Sequence, residues 1–155
     1  MKQRLKILSL IILFPFIASY SQGFYGKVVK ILDGDTFDML TENGTIRVRI
    51  YGIDAPEKSQ AFGRVSKEYL SKLIGGISVK VLVSNKDRYG RYICRVYSEE
   101  KDISYEMLKA GLAWHYKRFD NSEKYSQAEK TAKTNKVGLW KDSNPIRPWQ
   151  YRKKN

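Results

Sequence analysis

"DTFDMLTENGTIRVRIYGIDAPE", residues 35–57, carries the reading of the fold. At its centre Asn43-Gly44 is the strongest short hairpin signal, because a two-residue primed turn needs positive φ and these residue types tolerate it. After the turn, Ile46, Val48 and Ile50 alternate with Arg47 and Arg49, the period of a strand with one apolar and one cationic face. Residues 35–42 supply the partner strand. Working outward, "FYGKVVKIL" (24–32) is β-branched and runs into Asp33-Gly34, another turn dipeptide, so three strands form a meander.

Beyond Glu57 the period changes. Phe62, Val65, Tyr69, Leu70 and Leu73 make the apolar stripe of a helix over 60–74, with Ser59 as its cap and Gly75-Gly76 as its stop. "ISVKVLV" (77–83) and "RYICRVY" (91–97) are two more strands, joined by the polar loop "SNKDRYG" (84–90). Asp102 caps a short helix ending at Gly111, and a last helix spans about 122–133 with Tyr125, Ala128 and Ala132 inward. The class is therefore α+β, mainly β. Five strands with a helix between the third and fourth fit a five-stranded OB-type Greek-key barrel with about three helices; an ordinary α+β domain is the alternative.

The chain has 155 residues and a formal net charge of +13. Residues 1–21 read as a signal peptide that is cleaved: Lys2, Arg4 and Lys6 precede an apolar run over 7–18, and Ser19 and Ser21 flank a cut before Gln22. The run is short for a membrane span, and an uncleaved anchor is the alternative. Removing it leaves 26 basic against 16 acidic residues, +10, so the basicity belongs to the domain expected over 22–150. The tail "GLWKDSNPIRPWQYRKKN" (138–155) reads as a strap over the surface, with 151–155 as its frayed basic end. The expected location is secreted or periplasmic, with no stable membrane association after cleavage and a monomer as the default.

One histidine (His115) and one cysteine (Cys94) exclude an ordinary zinc site, a His-based nucleophile triad and an internal disulfide. Cys94 reads as a small residue on one face of a strand. Any metal must sit on oxygens, which points to Ca²⁺ or Mg²⁺. An EF-hand starting at Asp33 fails, since its fifth position is Phe37 and its twelfth Gly44. Asp33, Asp35 and Asp54 instead lie at strand ends that a meander brings together. Pro56 keeps Ala55 extended, so the Ala55 carbonyl is available as a further ligand. Taken singly, Asp-Gly is a turn and "DAPE" a loop.

Arg49 and Arg91 change that balance. Guanidinium groups are forked, permanently charged donors that match phosphate oxygens, and a carboxylate such as Glu57 can orient a water or take its proton. Arg47, on the same face as Arg49, reads as wet surface. A phosphodiester substrate explains these charges together. One geometric difficulty stands: strict alternation from Arg49 sends Asp54 to the opposite face, and a bend at Gly52 is what would correct it.

The ordered set "LDGDT", "RIYGIDAPE", "DRYGR", "KAGLAW" and "GLW", spanning Phe24 to Trp149, resembles the thermonuclease (staphylococcal-nuclease-like) family. The resemblance implies a Ca²⁺-dependent nuclease on an OB barrel, cutting DNA and RNA with little sequence preference and leaving 3′-phosphate ends. It implies Asp35, Asp54 and the Ala55 carbonyl as metal ligands, with Asp33 tuning the site. It implies Glu57 as general base or water-orienting group and Arg49 and Arg91 as phosphate-binding arginines. Tyr89 would help hold a terminal phosphate, assisted by Arg88, and Tyr116 is the candidate base-stacking aromatic. Single strands are the expected preference. Ala55 stands where the best-known member has Thr, and the segment after Glu57 is shorter. A catalytically inactive OB module that binds nucleic acid, and a surface protein stabilised by Ca²⁺, are the competing readings.

Overall fold

The computed structural model describes residues 23–154. The proposed signal peptide, 1–21, lies outside the described residues, as does Asn155. In chain order the strands are β1 (Phe24–Ile31), β2 (Thr36–Thr41), β3 (Gly44–Ile50) and β4 (Ile53–Asp54). Helix α1 (Gly63–Ile74) leads to β5 (Ser78–Lys86), β6 (Tyr92–Ser98) and β7 (Lys101–Asp102). Then come α2 (Ile103–Lys109), β8 (Trp114–His115), α3 (Glu123–Thr134), a 3₁₀ turn (Gly138–Lys141) and α4 (Pro148–Lys154).

The expected β2–β3 hairpin forms, but its two-residue loop is Glu42-Asn43, without positive φ at Asn43, and Gly44 opens β3 at φ 103° paired with Thr41. The sheet order is β3-β2-β1-β5-β6-β7, and β3 also pairs with β6 in parallel, which closes five strands into a barrel. Register breaks between Val28 and Lys30 on β1, and between Val83 and Asn85 on β5, are bulges that bend the sheet enough to close. The inward period-two set, including Val28, Phe37, Met39, Val48, Ile50, Val81, Cys94 and Val96, is at most 1 % exposed. Each such aliphatic side chain contributes about 1.5–3 kcal/mol on burial, so the alternation read in β3 sets the barrel's interior. Helices α1 and α2 close this core with Leu70, Ile74, Met107 and Leu108. A second cluster gathers Trp114, Ala132, Leu139 and Trp140, with Trp149 packed against it.

The barrel and its strands are as expected; several details differ. Helix α1 begins at Gly63 rather than near residue 60, and Ser59 does not cap it. Residues 57–62 form a turn held by Gln60 N–H to the Glu57 carbonyl (2.9 Å) and by Glu57 N–H to Gln60 Oε1 (3.1 Å). Ser59 instead accepts the Tyr151 hydroxyl at its Oγ (3.2 Å) and carbonyl (3.3 Å). Val65 faces solvent at 43 % exposure, off the buried stripe. Asp102 and Ser122 do cap α2 and α3, each accepting from Tyr105 and Tyr125 N–H respectively. The C-terminal strap adds a fourth helix, α4, so residues 151–154 are helical. Among the described residues no helix is long and apolar enough to cross a membrane.

Candidate active site

Three pieces of backbone converge on one rim of the barrel. The first is the turn before β2. Asp33 Oδ1 accepts the Asp35 N–H (3.0 Å), an Asx turn that aims the buried Asp35 side chain inward. Gly34 has no room for a side chain, since a Cβ there would lie 1.9 Å from Ser66 Oγ. The second piece is β3 with the bend that follows it. Gly52 adopts φ 79°, and this left-handed residue breaks the alternation so that Asp54 returns to the side of Arg49. The third is the loop before β6, drawn in by the parallel register that sets Arg49 beside Ile93, two residues past Arg91.

The result is a tight ionic knot. The Arg49 guanidinium is paired with Asp35 Oδ1 through Nη1 and with Asp54 Oδ1 through Nη2 (2.7 Å). It also donates to the Ile53 carbonyl (3.3 Å). Asp35 is 2 % exposed and Asp54 0 %. Asp35 Oδ1 also accepts from Thr36 Oγ1 (3.0 Å), and its Oδ2 accepts the Ala55 N–H (2.6 Å), which fixes the Ala55 peptide beside it. Burial raises the Asp33 carboxyl above its ordinary value, against the pull of Arg49.

Arg91 does not join this knot. Its Nε donates to Asp87 Oδ2 (2.7 Å) and its N–H to Asp87 Oδ1 (3.0 Å), which braces the guanidinium on the loop 87–91. Burial alone would push Asp87 up, but the hydrogen bonds from Arg91 and Tyr89 hold its carboxyl below the usual value. Tyr89 is exposed at 68 %, with Arg88 donating to its hydroxyl (2.7 Å) and both Arg88 and Arg91 over its ring.

One cavity of about 900 Å³ is lined by Asp33, Asp35, Arg49, Ala55, Glu57, Arg88, Tyr89, Arg91 and Tyr116. Asp54 lies beneath it, tied to Arg49. Of the site residues read from the sequence, all but Asp54 line this one cavity. Arg47 is half exposed and paired with Asp38 (2.8 Å), as expected of a surface residue, although it also reaches the edge of this cavity. His115 is buried and structural, with Nε2 on Asp120 (2.9 Å) and Nδ1 on Ser126 Oγ (3.2 Å). Cys94 lies inside the barrel, where burial pushes its thiol up to about 12.

Two residues of the site were not legible in the sequence. Asp87 had a faint signal, an acid four residues before Arg91 in "DRYGR". Arg152 had none: α4 reaches across the rim and donates Nη2 to Asp54 Oδ2 (2.8 Å) and Nη1 to Glu57 Oε1 (2.5 Å). Burial works against the Arg152 charge, but Asp54 and Glu57 hold the guanidinium firmly protonated.

The donor set at the knot is made of oxygens, and the place already takes positive charge, because two guanidiniums sit on the Asp35 and Asp54 carboxylates. A hard divalent cation fits that chemistry. Among the described residues no group of three or more His, Cys, Asp or Glu side chains is arranged around one point for a metal.

The comparisons with known proteins agree with this construction. The sequence profile described as "Staphylococcal nuclease homologue" matches residues 47–142. An uncharacterized endonuclease of Haemophilus influenzae is 42 % identical over 153 residues, covering 97 % of this chain and 86 % of that protein. An uncharacterized endonuclease of Escherichia coli is 36 % identical over 129 residues, covering 83 % of this chain and 84 % of its own length. Staphylococcal-like nuclease CAN1 of Arabidopsis thaliana is 42 % identical over 107 residues, 69 % of this chain but 33 % of that longer protein. With the barrel, the ordered motifs and near full-length matches in agreement, the chain belongs to the staphylococcal nuclease family.

Proposed function

We propose that this chain is an exported, Ca²⁺-dependent nuclease that hydrolyses phosphodiester bonds of DNA and RNA with little sequence preference, favours single strands and leaves 3′-phosphate ends. Nuclease activity is supported by the family and by relatives named endonuclease and staphylococcal-like nuclease. The observation that carries the finer reading is the shared cavity, which a braced Arg91, the Glu57 carboxylate, Asp35 and Arg49 all line, with Asp54 tied to Arg49.

Asp35, Asp54 and the Ala55 carbonyl would hold the ion, and Ca²⁺ there supplies charge neutralisation of a phosphate oxygen and a bound water. Glu57 orients the attacking water and accepts its proton. Arg91 and Arg49 donate to the phosphate oxygens as negative charge develops on them. A fixed donor aimed at such charge is worth about 2.7–4 kcal/mol. Asp87 keeps Arg91 in place before the substrate arrives. Arg88 and Tyr89 extend donors toward a terminal phosphate, and Tyr116 offers a ring to a base. A run of apolar residues over 7–18 behind Lys2, Arg4 and Lys6 supports export.

The test is to incubate the purified protein with single-stranded DNA, duplex DNA and RNA, in millimolar Ca²⁺ or in chelator. Cutting of all three in Ca²⁺, fastest on the single strand and abolished by chelator, is expected. Chelator-insensitive cutting, or none with Ca²⁺, refutes the Ca²⁺-dependent reading. Products that already carry 3′-hydroxyls refute the proposed polarity.

A further inference from the structure

A single phosphodiester and the groups that touch it occupy only part of the concave face. A second cavity, of about 1060 Å³, flanks the first and shares Glu57, Arg88, Tyr89, Tyr116 and Arg152 with it. Its far wall is built by the C-terminal segment, through Arg147, Trp149 and Lys153. Both of its acids are already bridged: Glu57 to Arg152 (2.5 Å) and Glu129 to Lys133 (2.7 Å). Lys117, Arg118, Arg147 and Lys153 line it as well, so the groove is cationic.

Its rings are placed for flat partners. Trp149 stacks on Tyr116, with centroids 5.2 Å apart and planes 22° from parallel; Tyr116 lines both cavities and Trp149 carries the stack into the second. The Arg147 guanidinium lies over the Trp149 and Trp114 rings at 5.9 and 5.5 Å. Interleaved cations and aromatic faces along a groove are what a single-stranded nucleic acid needs: charges for its backbone and platforms for its unpaired bases. A duplex hides its base faces in its own stack and has no use for such platforms.

We infer that this groove is an extended single-strand site that takes the nucleotides next to the reacting phosphodiester. Tyr116 and Trp149 are the base platform, and Arg147 and Lys153 contact the backbone. The inference rests on the nuclease reading of the neighbouring cavity and adds the length of strand that the protein grips. It also gives the C-terminal segment a role in substrate binding.

The experiment uses the intact protein in chelator, so that binding is read without cleavage. Fluorescence anisotropy compares a labelled 12-nucleotide single strand, a trinucleotide and a 12-base-pair duplex. The doubly charge-reversed variant Arg147→Glu/Lys153→Glu should lose roughly tenfold or more of its affinity for the 12-mer, and far less for the trinucleotide. The salt slope for the 12-mer should fall by about 1.4, the loss of two single-strand phosphate contacts. Trp149→Leu should weaken the 12-mer too; if that variant does not fold, the charge variant decides alone. Equal 12-mer affinity in the charge variant and the parent overturns the inference, and so does a duplex that binds the parent as tightly as the single strand. Cleavage in Ca²⁺ is scored separately. A parent that grips the 12-mer through this groove yet cuts nothing would sink the nuclease reading and leave the groove standing.

Discussion

Arg49 is the side chain on which the site turns, and its surroundings explain why the sequence could name its partners without proving their convergence. Two buried carboxylates, Asp35 and Asp54, need a counter-charge, and Arg49 serves both. Strand alternation alone places Asp54 on the wrong face, and only the φ of Gly52 resolves it. Arg91 and Glu57 stand further from the knot and are the cleaner tests of chemistry. Arg91→Ala and Glu57→Gln should each lower turnover on single-stranded DNA by roughly 10²–10³-fold with an unchanged circular-dichroism spectrum. Near-normal turnover in either variant removes the role assigned to that residue. Asp87 gives a pH signature. Its folded-state value is depressed below the ordinary 3.8, so its stabilisation is present above that pH and lost as pH falls through the folded value. Asp87→Asn should therefore melt earlier than the parent at neutral pH, and the two melting temperatures should converge under strongly acid conditions. A constant difference across that range would contradict the pairing.

Among the elements, those with strict periodicity were legible and those set by distant contacts were not. The β2–β3 hairpin follows from Asn43-Gly44 and the Ile46, Val48, Ile50 alternation, and the caps of α2 and α3 follow from Asp102 and Ser122. The start of α1 did not follow, because Ser59 is engaged by Tyr151, 92 residues away. Helix α4 was hidden for the same reason. Its placement depends on Gln60 donating to the Ile146 carbonyl (2.5 Å) and on Arg152 reaching Asp54, contacts with no local signal. The bend at Gly52 belongs to this scale too. Gly52→Ala should cost about 1–2 kcal/mol, since a Cβ is penalised in the left-handed region. The substituted Cβ would also lie 3.0 Å from the Tyr125 ring. Urea unfolding measures it. An unchanged midpoint would mean that the bend is not under steric control.

At the scale of the whole molecule, charge and topology act together. The formal net charge of +13 attracts a polyanion from a distance, while Asp33, Asp35, Asp54 and Glu57 gather at the one rim where the cation-requiring chemistry is proposed. The N-terminal reading belongs here as well. If export proceeds as proposed, protein recovered from outside the cytoplasm should begin at Gln22 by mass spectrometry; a chain that keeps residues 1–21 there would support an anchor instead.

The seam between β3 and β6 joins Val48 to Tyr92 in parallel, a non-local contact whose loop-closure entropy must be met before the barrel is closed. Until that closure, only the intervening chain holds the arginine of β3 near the arginine ahead of β6. An opened barrel lacks the rim on which the proposed chemistry depends, so a chain held open should cut nothing until the seam has closed.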